Sequence, residues 1–564
     1  MELLAQRAAR LEAVRVRGQL LAAALVVALA ALSGTAHAQA LKFPPRQDKP
    51  PNGYALTAKK VIRIADRDPK VIAERQKRGK LVPTAYTKGF RQWQVSYFQG
   101  KYERAQLLID DLTGSVLESW TGPQVAWRMA RGEPGAFAGK LNAPYVWLPL
   151  CVLFIAPFLD RRRPFRMLHL DLLVLLGFGV SHIFFNRGEI STSVPLVYPV
   201  LLYVLARMLW VGFRGRGSPS GRLVPHVPIA WLALALVFLV GFRVALNAVD
   251  SSVIDVGYAG SIGAHKIVHG QPLYDHASFY KDNEHGDTYG PANYLAYVPF
   301  VAAFGFDGTW GDVPSAHAAA IAFDLLTLLG LLVLGRRLRG WWLGVALAYA
   351  WAAFPYTLFA LNCNSNDSLV AMVCVWALVA LRSPPLRGLL LGFGAAAKFA
   401  PLALAPLFAF SGGDRHRWRS ALVVLAVAAL VVVACFAPFI PGHGGIRAVY
   451  DRTVGYQAGR ASPFSIWGQY GSLSAVWTVV KGMAVGLALL VAFVPRGPRS
   501  AVQVAALGAA VLIGLQLAVS HWFYLYVVWF TPFVLVALFA RFSDGEPEPD
   551  ARPTEVRAAE PALA

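Results

Sequence analysis

Polar and apolar positions along the chain repeat on two scales. From residue 144 onward, apolar residues gather in long runs, many near the ~20 residues needed to cross a bilayer, and short polar or arginine-rich loops separate them. These runs predict membrane-spanning helices at about 144–159, 168–186, 194–212 and 228–247, and again at 315–335, 341–360 and 366–381. A bent pair follows, 388–398 and 400–411, because Pro401 comes so soon after Lys398 that one continuous helix is disfavoured. The last spans are expected at 420–440, 473–494, 501–519 and 521–540. The apolar stretch 293–306 is only ~14 residues long, too short for a comfortable crossing, and reads as an interfacial or re-entrant helix. The pattern describes an all-α polytopic membrane protein of about thirteen spans.

Before residue 144 the period changes. Residues 92–98 alternate, with Trp93, Val95 and Tyr97 set against Gln92, Gln94 and Ser96, the period of a half-buried strand. Residues 106–110 and 115–120 read as two further strands around the turn Asp111-Leu112-Thr113-Gly114, and 61–77 as a preceding helix. Residues 40–142 therefore form a small α+β unit. Residues 1–38 have the layout of a secretory signal, with Arg7, Arg10, Arg15 and Arg17, an apolar region at 20–32, and Ala36-His37-Ala38 as a cleavage pattern. The α+β unit is thus expected outside the cytoplasmic membrane.

Composition sharpens the class. Hydrophobic residues are 56% of the chain and charged residues 15%, against about 25% charged in soluble domains, which excludes a soluble enzyme, a fibrous chain and a disordered one. The 53 Lys+Arg against 32 Asp+Glu would suggest nucleic acid in a soluble protein. Here the arginines cluster between spans, at Arg161–163, Arg336, Arg337 and Arg339, Arg415, Arg417 and Arg419, and Arg496 and Arg499. That is the positive-inside distribution of cytoplasmic loops, and no basic-aromatic module accompanies it. Threading from Asn142 outside delivers a long outer loop, 248–292, holding Asp250, Asp255, Asp275, Asp282, Glu284 and Asp287 but no Arg. A second outer loop spans 441–472, and the Gly/Glu/Pro-rich tail 542–564 is expected inside and disordered. Cys151, Cys363, Cys374 and Cys435 lie in or beside apolar spans, without metal or disulfide spacing, and read as packing residues.

The outer loops carry the chemistry. The first reads Asp255-Val-Gly-Tyr258, then Gly270-Gln-Pro-Leu-Tyr274, then Tyr289-Gly-Pro291-Ala-Asn293-Tyr294 and Pro299. Further on come "GFGAAAKFAP" (392–401), "RASPFSIWG" (460–468) and "HWFYLY" (521–526). In this order the motifs resemble the GT-C superfamily of integral-membrane glycosyltransferases, nearest to the mannosyltransferase-like family 87, over about 228–540. The chain departs from that pattern in the Asp–Tyr spacing of three and in Tyr-Gly-Pro where Tyr-Pro-Pro is usual. The segment "WQVSYF…LLIDDLTGSVLESWTG" (93–122) resembles a PepSY-type domain, whose members bind or regulate. The resulting division is a signal at 1–38, a PepSY-like unit at 40–142, three additional spans in 143–227, a GT-C-like core at 228–541 and the tail.

The resemblance implies transfer of one sugar from a polyprenyl-phosphate donor to an outer-face glycolipid, glycan or protein, with inversion, at a multi-pass site in the cytoplasmic membrane facing outside. Such a transfer needs a carboxylate to take the acceptor proton and cationic groups on the leaving phosphate. Asp255 is where the family places its base; it can instead cap the helix that follows, and Asp250 is the rival. Lys398 is the candidate phosphate ligand, since an ammonium among apolar helices needs a partner, unless it snorkels to a headgroup. Arg460 lies in an outer loop against the positive-inside trend, and His521 at a span end among aromatics; both can serve the site or the interface. Tyr258, Tyr274, Tyr289 and Asn293 complete the candidate substrate-binding set, with interfacial anchoring as the plainer reading of the tyrosines.

Asp324 in mid-span can line a substrate path or pair with a neighbouring helix. The polar run Asn362, Asn364, Asn366 and Asp367 reads as turn chemistry or a sugar site. His265 and His269, spaced i,i+4, read as a solvated helix face rather than a metal site. No cofactor or divalent metal is expected, because a single phosphate leaving group does not oblige one. The alternative function is a transporter or flippase of lipid-linked glycans, which would often show inverted repeats; none is evident here.

Overall fold

The computed structural model describes residues 41–542 apart from 90, 101, 123–124, 126–137, 215–218, 220, 275–278, 280–282, 284, 412–416, 441–444 and 461. The signal-like segment 1–38, Asp275, Asp282, Glu284, Arg415, Ala461 and the tail from 543 lie outside the described residues.

The amino-terminal unit is a five-stranded antiparallel sheet in sequential order: β1 (Leu41–Lys42), β2 (Val82–Lys88), β3 (Gln92–Gln99), β4 (Tyr102–Asp110) and β5 (Val116–Thr121). Two helices, α1 (Ala58–Ala65) and α2 (Pro69–Arg78), accompany it where the sequence reading expected one. The break is local chemistry. Asp68 caps α2, its carboxylate accepting from the Lys70 and Val71 amides, and Pro69 begins the new helix, both strong start signals. Trp93, Val95 and Tyr97 are fully buried, as the alternation predicts, and pack into one core with Ala58, Val61 and Ala65. Gln94 and Ser96 are buried as well, so the strand is covered on both faces. Buried Asp111 ties the layers together by accepting from the Ala55 and Leu56 amides at 2.6 and 2.9 Å and from Trp93 Nε1 at 2.8 Å.

The rest is helical: α3 (Pro144–Ile155), α4 (Met167–Leu176), α5 (Phe178–Asn186), α6 (Ile190–Arg214), α7 (Ile229–Val249), α8 (Asp255–Val268), α9 (Pro291–Phe304) and α10 (Pro314–Arg339). It continues through α11 (Trp341–Ala353), α12 (Pro355–Asn362), α13 (Asp367–Val379), α14 (Pro384–Ala397), α15 (Ala405–Ala409) and α16 (Arg417–Phe436). Three short helices follow, α17 (Gly445–Tyr450), α18 (Tyr456–Gly459) and α19 (Ile466–Gln469), then α20 (Ser474–Phe493), α21 (Ala501–Ala518) and α22 (Val527–Phe539). Among the described residues, seven helical segments are long and apolar enough to cross a membrane. The pair α11–α12 makes an eighth, and Pro144–Phe158, Asp367–Val379, Ala400–Ala409 and Tyr524–Phe539 are shorter apolar helices. Together with α14 these are the segments predicted as spans, and 14-residue α9 is the short apolar helix set apart from them.

One predicted straight span is bent. The 341–360 run divides into α11 and α12, inclined at 59°. Phe354 lies extended before Pro355, the conformation a following proline imposes. Inside the bundle Asp324 pairs with Arg243 of α7 at 2.6 Å, and both are fully buried. Trp351 Nε1 donates to the same carboxylate at 2.8 Å, and Arg243 also donates to Thr357 Oγ1 at 3.1 Å. Of the two readings of Asp324, the helix-pairing one describes this geometry.

Arginines mark one end of the bundle. Arg339 donates to the Ala540 carbonyl at 2.8 Å, Arg337 to Val379 at 3.1 Å, and Arg499 to Ala492 at 3.0 Å, each satisfying a carbonyl left open at a helix end. At the opposite, loop-rich end the additional helices α5 and α6 meet the core. There the Tyr524 hydroxyl lies 2.6 Å from Ser181 Oγ and 2.8 Å from Ser193 Oγ, and Tyr198 Oη accepts the Ile466 amide at 3.1 Å.

Candidate active site

The site is built where α7 gives way to α8. In the last turn of α7, Asn247 donates to Leu361 O and to Asn364 Oδ1, both at 2.8 Å. The chain then runs along the turn after α12, with Ser252 N on Asn362 O at 3.1 Å and Ile254 N on Cys363 O at 2.9 Å. Gly257 is required by this contact: a Cβ there would stand 2.0 Å from the Asn364 carbonyl oxygen. Ile254 is the cap of α8 and Asp255 its first residue.

Asp255 is half-buried, with Oδ1 accepting the Val256 amide at 2.9 Å and its carbonyl accepting Asn283 Nδ2 at 2.9 Å. Burial pushes its carboxyl above the ordinary 3.8, while Arg460, the Val256 amide and Lys398 pull it back down. Asp250, the rival carboxylate, caps the end of α7 and accepts the Lys140 amide at 3.0 Å.

The polar run after α12 is buried in the site rather than solvated. Asn366 Nδ2 donates to Asn293 Oδ1 at 2.8 Å, and Lys398 Nζ donates to Asn366 Oδ1 at 2.8 Å and to Asp367 Oδ1 at 2.5 Å. Trp529 Nε1 donates to Asp367 at 2.7 Å, and Ser365 Oγ reaches the other carboxylate oxygen. The Lys398 ammonium also faces the rings of Trp529, Tyr289 and Tyr526 at 5.2, 5.5 and 5.7 Å, close enough for cation–π attraction. Lys398 occupies this place because α14 ends there in an extended residue before Pro401.

A cavity of about 340 Å³ opens beside this cluster, lined by Thr288, Tyr289, Lys398, Arg460, Lys481, His521, Tyr526 and Trp529 among others. His521 is 9% exposed and its Nδ1 lies 2.8 Å from Ser462 Oγ. Lys481, on α20, stands over the ring of Trp477, whose Nε1 donates to Ala518 O at 2.7 Å. Gly290, the departure from Tyr-Pro-Pro, has its amide on Ala397 O at 3.3 Å, and a Cβ there would stand 2.0 Å from Ala396 O. A proline at that position would lose the bond.

Of the residues singled out from sequence, Tyr289, Lys398, Arg460 and His521 line one cavity, and Asp255 adjoins it electrostatically. Asn293 lies at the Asn366 contact, its Nδ2 buried without a partner among the described residues. Tyr258 and Tyr274 do not line the cavity. Tyr258 donates to Gly308 O at 3.0 Å and stacks on Trp310, while Tyr274 donates to Tyr289 O at 2.7 Å. The rings of His265 and His269 lie tilted against each other, centroids 4.0 Å apart, and no group of three metal-ligating side chains occurs among the described residues.

Sequence reasoning missed Trp529, Lys481 and the buried ion pair of Asp287 with Arg452, whose Nη2 donates to Oδ1 at 2.6 Å. The signal for Arg452 was present: like Arg460, it is an arginine in a loop threaded to the outside. No curated protein matches the chain. Residues 288–520 match the model of glycosyltransferase family 87, a stretch that holds most of the cavity wall, and that match supports a membrane glycosyltransferase.

Proposed function

We propose that the protein moves one monosaccharide from a polyprenyl-phosphate donor to the hydroxyl of a glycolipid, glycan or protein, with inversion, using Asp255 as general base. Asp255 takes the acceptor proton as the oxygen attacks the anomeric carbon. The bond from that carbon to the phosphate oxygen breaks on the far side, and the electron pair leaves with the lipid phosphate. Arg460, Lys398 and Lys481 surround the space the phosphate would enter, and cations there stabilise the charge that develops on it. Two of the three ammonium donors of Lys398 are engaged by Asn366 and Asp367, so its part is a fixed positive field with one donor to offer.

The observation that carries this reading is that Arg460 and Lys398 line one cavity and both act electrostatically on Asp255. The arginine-rich helix ends at the opposite side of the bundle support an outward-facing site in the cytoplasmic membrane, because such clusters stay inside. That orientation in turn favours a lipid-borne donor over a nucleotide sugar. The test is transfer by purified protein from a panel of radiolabelled polyprenyl-phosphate sugars to cell-envelope lipids. Asp255→Asn should abolish transfer with the fold intact. Full activity in that variant, or transfer from nucleotide sugars alone, would overturn the reading, and altered uptake without transferase activity would favour transport instead.

A further inference from the structure

Two of the stretches that line the cavity lie far apart in sequence, one ending at Thr288 and Tyr289 and the other carrying Gln457 and Arg460. An ion pair joins them. The Asp287 side chain is fully buried, and its two oxygens take Nε and Nη2 of Arg452, the two-pronged geometry that fixes orientation as well as distance. The ring of His285 lies 4.8 Å from that of Tyr456 and adds a second contact between the same stretches.

The two partners are held differently. On the Asp287 side, Tyr294 Oη donates to Gly286 O at 2.6 Å and accepts the Tyr289 amide at 3.3 Å, and Tyr274 holds the Tyr289 carbonyl. That side is a post braced from helix α9. Arg452 sits in a π-helical turn, Asp451–Gly455, between two short helices. Such turns recur at functional sites because they re-aim side chains within a helix. Eight residues after Arg452 the chain brings Arg460 into the cavity wall, near enough for its charge to act on Asp255.

We propose that Asp287 and Arg452 are positioning residues for the transfer: their pair seats the 452–460 segment on the braced post and thereby holds the Arg460 guanidinium against Asp255. The proposal rests on Asp255 as the base. Besides Arg460, the groups facing Asp255 are Lys398, Asp367, Tyr289 and Tyr526. Those facing Asp287 are Arg452, His285, Tyr274 and Tyr294. If Arg460 swings away, the Asp255 carboxylate loses its strongest stabilising neighbour and protonates at higher pH.

The experiment uses the full chain with Arg452→Gln, Asp287→Asn, the double variant and Arg452→Lys. It measures kcat and KM across pH with a polyprenyl-phosphate sugar, and hydrogen exchange over 445–460. Each single neutral variant should lose roughly 10–100-fold in kcat/KM at neutral pH, the scale of a small misplacement. Its acid limb should move to higher pH, so that part of the loss returns on raising the pH. Exchange over 445–460 should rise, the double variant should be no worse than either single, and Arg452→Lys should recover part of the activity. Faster exchange with a wild-type acid limb and kcat/KM would show a fold-only contact, and unchanged exchange would show that the pair does not seat the segment; either overturns the proposal. If Asp255→Asn keeps full activity, the base assignment itself fails, and the exchange data still report whether the pair seats the segment.

Discussion

Asp255 meets two opposing influences at the first turn of α8, and their balance sets a pH expectation. Burial raises its carboxyl above the ordinary 3.8, and the neighbouring Arg460 is the largest influence lowering it. If Asp255 is the base we propose, it works only when ionised, so kcat/KM should fall as pH drops through that raised value, at higher pH than for a solvated aspartate. Arg460→Gln removes the leading counter-influence and should move the acid limb further up, read from a kcat/KM profile; an unmoved limb would remove Arg460 from the site. At this scale the sequence was partly legible. Lys398, Arg460 and His521 stand out because each breaks the local rule of its segment, a charge or imidazole where apolar or neutral residues are expected. Asp367 and Trp529 break no rule. An acidic residue beginning a helix and a tryptophan in a span are ordinary until tertiary packing brings them within 2.7 Å of each other. Tyr258 shows the converse, since a motif tyrosine looks the same in a string whether it faces a cavity or stacks on Trp310.

Helices were the most legible elements, because the bilayer demands ~20 apolar residues and any run that long declares itself. The breaks were harder. Hydropathy carries no bend, so the α11–α12 angle at Phe354 passed as one span, although Pro355 was there to be read; the α1–α2 break at Asp68-Pro69 passed in the same way. The pair joining α7 to α10 gives a test at this scale. Removing one partner strands a buried charge, so Arg243→Leu or Asp324→Leu alone should cost about 3–5 kcal/mol, whereas the double leucine variant should be near neutral or more stable. Thermal unfolding in detergent, combined as a double-mutant cycle, reads the difference. Two single losses that simply add would mean the pair acts as independent residues.

The whole molecule has a polar, loop-rich end holding the cavity and an arginine-decorated end opposite. If the latter is cytoplasmic, a cysteine introduced at Gln271 in a background without the four native cysteines should react with a membrane-impermeant maleimide in intact cells. One at Arg337 should react only after lysis. The reverse pattern would turn the site inward and remove the case for a lipid-borne donor. The three spans ahead of the core looked from sequence like an appendage to the family pattern. Their docking was illegible because serine and tyrosine hydroxyls in apolar runs give no hint of which partner they seek. The bundle nevertheless ties Ser181 and Ser193 to Tyr524, three residues along from His521. Cutting the chain down to the GT-C-like core expected from the sequence would therefore leave a phenol facing hydrocarbon beside the cavity, with no hydroxyl to answer it. A trimmed enzyme would be expected to fail at its reaction centre first, even with every residue of that centre still in place.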